Sequence, residues 1–207
     1  KKAVVYQIFV DRFYQGDKEK DTSYINCNWG DIPTPKTFAG GDLKGIIEKL
    51  DFLKSLNTKI IYLSPVFEGN SNHKYDTADY SKIDPMFGTE KDFEDLIKKA
   101  DKLGIKILLD GVFNHTGRDF FAFKDIREKR ENSQYKDWYC NVNFWGNNYF
   151  NDGFSYENWG GHDLLAKLNQ RNPAVKDYIC DVIRFWVKEF DIDGIRLDAA
   201  DVMDFEY

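Results

Sequence analysis

Apolar positions along this chain alternate between compact runs and helical stripes. "AVVYQIFVDRF", residues 3–13, is rich in β-branched and aromatic side chains and reads as a strand running into Asp11 and Arg12. In "DLKGIIEKLDFLKSLN", residues 42–57, Leu43, Ile46, Ile47, Leu50 and Leu53 recur at helical spacing behind Asp42, a residue suited to cap a helix. "KIIYLSPVF", residues 59–67, is a short apolar run containing Pro65, as expected of a strand covered on both faces. Thr89 and Asp92 stand in capping-box spacing at the head of residues 89–104, where Phe93, Leu96, Ile97, Ala100 and Leu103 form a stripe that closes on Gly104. "IKILLDGVFNH", residues 105–115, predicts a third strand. Residues 172–190 predict a third helix with Pro173 in its first turn, and "GIRLDA", from Gly194, a fourth strand.

Strands and helices in strict alternation predict an α/β fold built on a parallel sheet, because right-handed crossovers join parallel neighbours. The pattern alone fits a doubly wound sheet and a (β/α)8 barrel equally. Residues 116–171 separate the third strand from the third helix, far more than the roughly 2 to 6 residues of an ordinary connection. They therefore predict an inserted subdomain or lid, which divides the chain into residues 1–115, 116–171 and 172–207.

Composition narrows the function classes. The 207 residues are 42% hydrophobic, enough for a real core, and the net charge of -6 comes without any basic run that would track a phosphate backbone. Nucleic acid is not an expected partner. Cys27, Cys140 and Cys180 are widely separated, so they suggest neither a disulfide framework nor a zinc site and read as small buried side chains. No apolar run approaches the roughly 20 residues that cross a bilayer, so no membrane partner is expected. The chain opens on Lys1 rather than Met, which leaves a removed leader open.

The polar clusters all follow strands: Asp11 and Arg12, then "SNHKYDTADY" at 71–80, then "DGVFNH" at 110–115, and "RLDAAD" at 196–201. In a parallel α/β fold these strand ends share one face, where ligands bind. Arg196 and Asp198 stand two apart on a strand, so both point the same way. A guanidinium at that distance favours the ionised carboxylate that a nucleophile requires, although a structural ion pair closing the strand fits the spacing too. Trp138, Tyr139, Phe144, Trp145, Tyr149, Phe150, Phe154, Tyr156 and Trp159 interleave with Asn residues in the insertion. Rings and amides suit a sugar's apolar face and hydroxyls, and they suit the core of a small insert as well. Dinucleotide, nucleotide, zinc-peptidase and serine-hydrolase signatures are absent, and "FAGGDLKG", residues 38–45, lacks the strand that a phosphate loop needs.

Taken together these motifs resemble the alpha-amylase family, glycoside hydrolase family 13. "DGVFNH" and "GIRLDAAD" resemble its first two motifs in order, and "HKYDTADY" resembles its loop bearing a sugar-stacking tyrosine. "YQIFVDRFYQGD", "FAGGDLKGII", "NHKYDTADYSKIDPMFGT" and "YKDW" resemble the neopullulanase and cyclomaltodextrinase group. The resemblance implies the amino-terminal half of a (β/α)8 TIM barrel, with residues 116–171 as the B domain after the third strand. It implies Asp198 as the nucleophile that forms a glycosyl-enzyme and Arg196 as the residue that orients it. It further implies His115 and Tyr75 as sugar-binding residues, with Asp110 and Asn114 shaping the site.

No organic cofactor is implied. Asp17, Asp21, Gly40 and Asp42 match a calcium site near the first loop in that group, while Gln15 and Lys20 replace asparagines there and a lysine supplies no oxygen. Lys167 stands where many alpha-amylases carry an aspartate that helps bind an interdomain calcium. The family's acid glutamate follows a fifth strand, so the remainder of the catalytic domain is the expected partner, and these residues alone are expected to be inactive. The implied reaction is retaining hydrolysis of alpha-1,4 bonds in starch-derived oligosaccharides. Transglycosylation, alpha-1,6 cleavage and non-catalytic glucan binding are the alternatives. A cytoplasmic location is implied, with secretion as the alternative, and a homodimer is compatible with the group.

Overall fold

A computed structural model describes residues 2–204. Four strands, β1 (Val4–Ile8), β2 (Thr58–Leu63), β5 (Lys106–Gly111) and β9 (Gly194–Leu197), form one parallel sheet in the order β1-β2-β5-β9. Each strand pairs with the next strand of the sheet in chain order and the order never reverses, so the sheet has no switch point of the doubly wound kind. This is an arc of a (β/α)8 barrel.

The helices on this arc begin where the sequence places their first turns. Helix α1 (Leu43–Ser55) starts behind Asp42, whose carboxylate accepts the Gly45 amide at 2.7 Å. Helix α2 (Glu90–Lys102) opens on a complete Thr89–Asp92 capping box. Helix α4 (Pro173–Phe190) is capped by Asn172, whose side chain accepts the Ala174 amide at 2.9 Å. Each such cap contributes about 1 kcal/mol by satisfying amides that a helix start leaves free.

The strands are shorter than the apolar runs suggest. The run at 3–13 leaves the sheet after Ile8 and turns into a single 3-10 turn, Val10–Arg12. The run at 59–67 splits, because Phe67–Gly69 forms β3 and pairs antiparallel with β4 (Thr77–Ile83), a hairpin that the polar sequence 71–80 hides. Its inner face is apolar: Phe67 stacks on Trp186 of α4 with centroids 4.7 Å apart, and the Trp186 indole donates to the Tyr80 carbonyl at 2.7 Å.

Residues 116–171 contain regular structure as well. Helix α3 spans Phe121–Lys129, and β6 (His115–Thr116), β8 (His162–Lys167) and β7 (Asn158–Trp159) form an antiparallel sheet in that order. Phe123, Tyr139, Phe154 and Tyr156 are buried beside α3. The amides close turns rather than reach outward, as when Asn148 donates to Asp152 and to the Phe154 carbonyl. The cysteines correct an expectation: Cys180 is exposed and Cys27 and Cys140 are half-buried, all three as free thiols. Among the described residues no helix is long and apolar enough to cross a membrane.

Candidate active site

The carboxyl ends of β2, β5 and β9 bring Tyr62, Asp110 and Arg196 together, and the sheet register pairs Asp110 directly with Arg196. Asp110 is 2% exposed and acts as a hub. Its Oδ2 accepts the Tyr75 hydroxyl at 2.8 Å and the Tyr62 hydroxyl, and its Oδ1 accepts Arg196 Nη1 at 3.0 Å. Burial pushes the Asp110 carboxyl above the ordinary carboxylate range, and the two phenols and the guanidinium pull against that. Tyr62 is pushed up to about 12 by burial and by its bond to Asp110, and Tyr75 rises further for the same reasons.

Arg196 spans two carboxylates. The same Nη1 donates to Asp198 Oδ1 at 2.7 Å, so one guanidinium nitrogen joins the buried Asp110 to the half-buried Asp198. Burial works against its charge, and the bonds to Asp198 and Asp110 more than restore it, leaving its pKa raised. The Asp198 amide donates to the Gly111 carbonyl at 3.1 Å, which continues the ladder one residue past β9, before Ala199 turns away at φ 50°. Among the described residues the second oxygen of Asp198 has no protein partner.

His73, Tyr75, His115, Trp159, His162, Leu164, Leu165 and Asp198 line a cleft of about 400 Å³. His115 is 1% exposed, and burial depresses its pKa to about 4, so it is neutral at physiological pH. Its Nδ1 lies 3.2 Å from the Asn114 amide nitrogen, a donor, and the tautomer that accepts from it carries its proton on Nε2. That Nε2 and Asn114 Oδ1 are buried without a protein partner. A buried polar atom left unpaired costs about 1–3 kcal/mol, a cost that binding sites tolerate because a ligand group satisfies it.

The loop at 71–76 is held from behind. Lys74, at φ 60° and fully buried, pairs with Asp84 at 3.0 Å and donates to the Gly69 carbonyl at 2.7 Å. Asp76 accepts the Asn70 and Ser71 amides at 3.0 and 3.2 Å. His73 and Tyr75 therefore face the cleft from a fixed backbone. His73 Nδ1 accepts the Tyr75 amide at 3.0 Å, which places its proton on Nε2, and burial lowers its pKa.

The structure thus gathers Tyr75, Asp110, Asn114, His115, Arg196 and Asp198 in one region. It does not gather Asp17, Asp21, Gly40 and Asp42 as a calcium site. Lys20 Nζ occupies the oxygens of Gly40 and Asp42, Lys44 takes Asp17, and Asp21 accepts the Ser23 amide. These residues do not fit a bound calcium, and among the described residues no group of three or more His, Cys, Asp or Glu converges on one. Lys167 pairs with Glu157 at 3.4 Å and donates to the Val202 carbonyl at 3.1 Å, so it also brings a positive charge rather than an oxygen.

Sequence reasoning missed Tyr62, His73, His162, Leu164 and Leu165. Tyr62 carried no signal beyond its place in an apolar strand. Trp159 and His162 had one: they flank Gly160-Gly161, whose φ angles of 62° and 82° make the two-residue turn of a tight hairpin, and "WGGH" is a hairpin signature.

The family described as alpha amylase, catalytic domain, matches residues 7–206. A cyclomaltodextrinase of Thermoanaerobacter pseudethanolicus is 44% identical over 99% of this chain and 35% of its own length. Neopullulanase 2 of Thermoactinomyces vulgaris is 43% identical over 100% of this chain and 35% of its own. The ligand-free cyclic alpha-maltosyl-(1-->6)-maltose hydrolase from Arthrobacter globiformis superimposes with a TM-score of 0.90 at 39% identity, covering 98% of this chain and 45% of that one. The chain spans about a third of the length of the curated relatives it matches. On these grounds the chain belongs to the alpha-amylase family of glycoside hydrolases.

Proposed function

We propose that these residues supply the nucleophile side of the active site of a retaining alpha-glucan hydrolase acting on alpha-1,4 bonds of starch-derived oligosaccharides. The observation that carries this reading is the Arg196 guanidinium bridging Asp110 and Asp198 at the mouth of the cleft. Arg196 holds one oxygen of Asp198, and the other attacks the anomeric carbon to give a glycosyl ester as the leaving oxygen departs with a proton. Tyr75, tied to Asp110, presents its ring to the sugar, and His115 Nε2–H donates a hydrogen bond to a sugar hydroxyl. Residues 116–171 form one wall of the cleft through Trp159 and His162.

The proton donor comes from elsewhere in the whole protein. Retention requires a second carboxyl about 5–5.5 Å from the first, and Asp198 is the only carboxylate lining the cleft among the described residues. A cytoplasmic location is supported by an intracellular maltogenic amylase of Bacillus subtilis at 42% identity. A cyclic alpha-maltosyl-(1-->6)-maltose hydrolase among the similar structures keeps alpha-1,6 cleavage as the alternative linkage.

Proton NMR of the first sugar released from a maltooligosaccharide by the whole protein tests the reading, joined to trapping with an activated fluorosugar. The alpha anomer and a covalent label on the peptide containing Asp198 are expected. Release of the beta anomer, or a label on any other carboxylate, sinks the assignment.

A further inference from the structure

Lys20 lies in the long connection between β1 and α1, with its side chain only 7% exposed. Three segments of the chain meet at its ammonium. Nζ donates to the Gly40 carbonyl at 2.7 Å and the Met86 carbonyl at 3.0 Å, and pairs with Asp42 Oδ2 at 3.0 Å. An ammonium carries three N–H donors, and all three are used here. The Tyr24 ring lies 5.5 Å from Nζ, and its hydroxyl shares the Met86 carbonyl at 3.1 Å. Asp42 is filled just as completely: Oδ1 accepts the Gly16 and Gly45 amides at 2.9 and 2.7 Å, and Oδ2 accepts the Asp17 amide at 3.1 Å beside Lys20.

Calcium needs about 6–8 oxygens converging at roughly 2.3–2.6 Å. At this loop the oxygens are already spent, and spent on a cation. A divalent ion would have to evict a buried ammonium and leave it without acceptors, which a low-dielectric site penalises heavily. The ammonium also joins the β1–α1 loop, the N-terminus of α1 and the turn before α2, a bridging task that a metal ion can perform.

We infer that the Lys20 ammonium takes the place of a metal ion here, and that this corner of the barrel is held together by the chain's own charge and independently of calcium. The inference does not rest on the proposed activity. Hydrogen exchange of the whole protein, with millimolar calcium and with a chelator, tests it at the amides of Gly16, Asp17 and Gly45, all bonded to Asp42. Their protection is expected to be the same in both conditions. Lys20→Met is expected to lose protection there by about tenfold or more, since the pairing that closes the loop is gone. Loss of protection in the unsubstituted protein on chelation overturns the inference, and so does unchanged protection in Lys20→Met. If Lys20→Met does not fold, the chelator comparison on the unsubstituted protein decides the matter alone.

Discussion

At Asp110 one buried carboxylate receives two phenols and a guanidinium, and through that guanidinium it sets the position of Asp198. Removing the Asp198 charge with Asp198→Asn is expected to lower kcat on maltodextrin at least about 10³-fold, some 4 kcal/mol of barrier. The thermal midpoint should move by only a few degrees, because an amide of the same shape keeps an oxygen to accept the Arg196 bond. Steady-state rates and a melting curve on the same preparation check both halves. His115 gives a second prediction, with a sign that follows from its pKa of about 4 against an ordinary 6.5. Between those values the unfolded chain binds a proton that the folded one refuses, so stability falls as pH drops from 6.5 towards 4. The group contributes up to about 3 kcal/mol of that fall. Urea unfolding across this range should show a shallower pH slope in His115→Gln, and an unchanged slope would clear His115 of the effect.

Among the elements, the hairpin of β7 and β8 exists because Gly160 and Gly161 accept a left-handed backbone, and it carries Trp159 and His162 to the cleft. Gly160→Val forces a β-branched residue to φ 62°, at about 1–3 kcal/mol of local strain. The expected result is a several-fold weaker Kd for maltooligosaccharide by calorimetry with near-native far-UV circular dichroism. Helices were the most legible elements in the sequence, because Asp42, Thr89 with Asp92, and Pro173 are local signals that need no partner. Strand ends were less legible. Phe67 looks like the end of one apolar run, yet it belongs to a second strand whose partner, Thr77–Ile83, is recognisable only once Trp186 packs beneath it. The polar loop 71–76 hid its own rigidity for the same reason: Lys74 reads as a surface residue until Asp84 and the Gly69 carbonyl are seen around it.

For the molecule as a whole, the two outer strands of the sheet carry exposed apolar side chains, Val4 and Val5 on β1 and Leu197 on β9. Open parallel edges of this kind are covered in stable proteins. With a single carboxylate lining the cleft, residues 2–204 expressed alone are expected to release no reducing sugar from maltodextrin. A hydrophobic dye should also bind them more strongly than the whole protein. Measurable hydrolysis by the segment would mean that a second carboxyl among these residues completes the reaction, contrary to the mechanism proposed.

The sequence by itself determined the α/β alternation, the helix caps, the long insertion and the motifs holding Tyr75, Asp110, Asn114, His115, Arg196 and Asp198. All of these rest on local spacing, which neighbouring residues impose on one another. Only the tertiary structure decided between a barrel arc and a doubly wound sheet, because strand order is a property of non-local pairing. It alone showed Tyr62 meeting Tyr75 on Asp110 across 48 and 35 residues of chain. It alone placed the Lys20 ammonium among the oxygens of Gly40, Asp42 and Met86. A side chain's charge is written in the sequence, but whether it faces water or closes a buried cage depends on which distant segments fold around it.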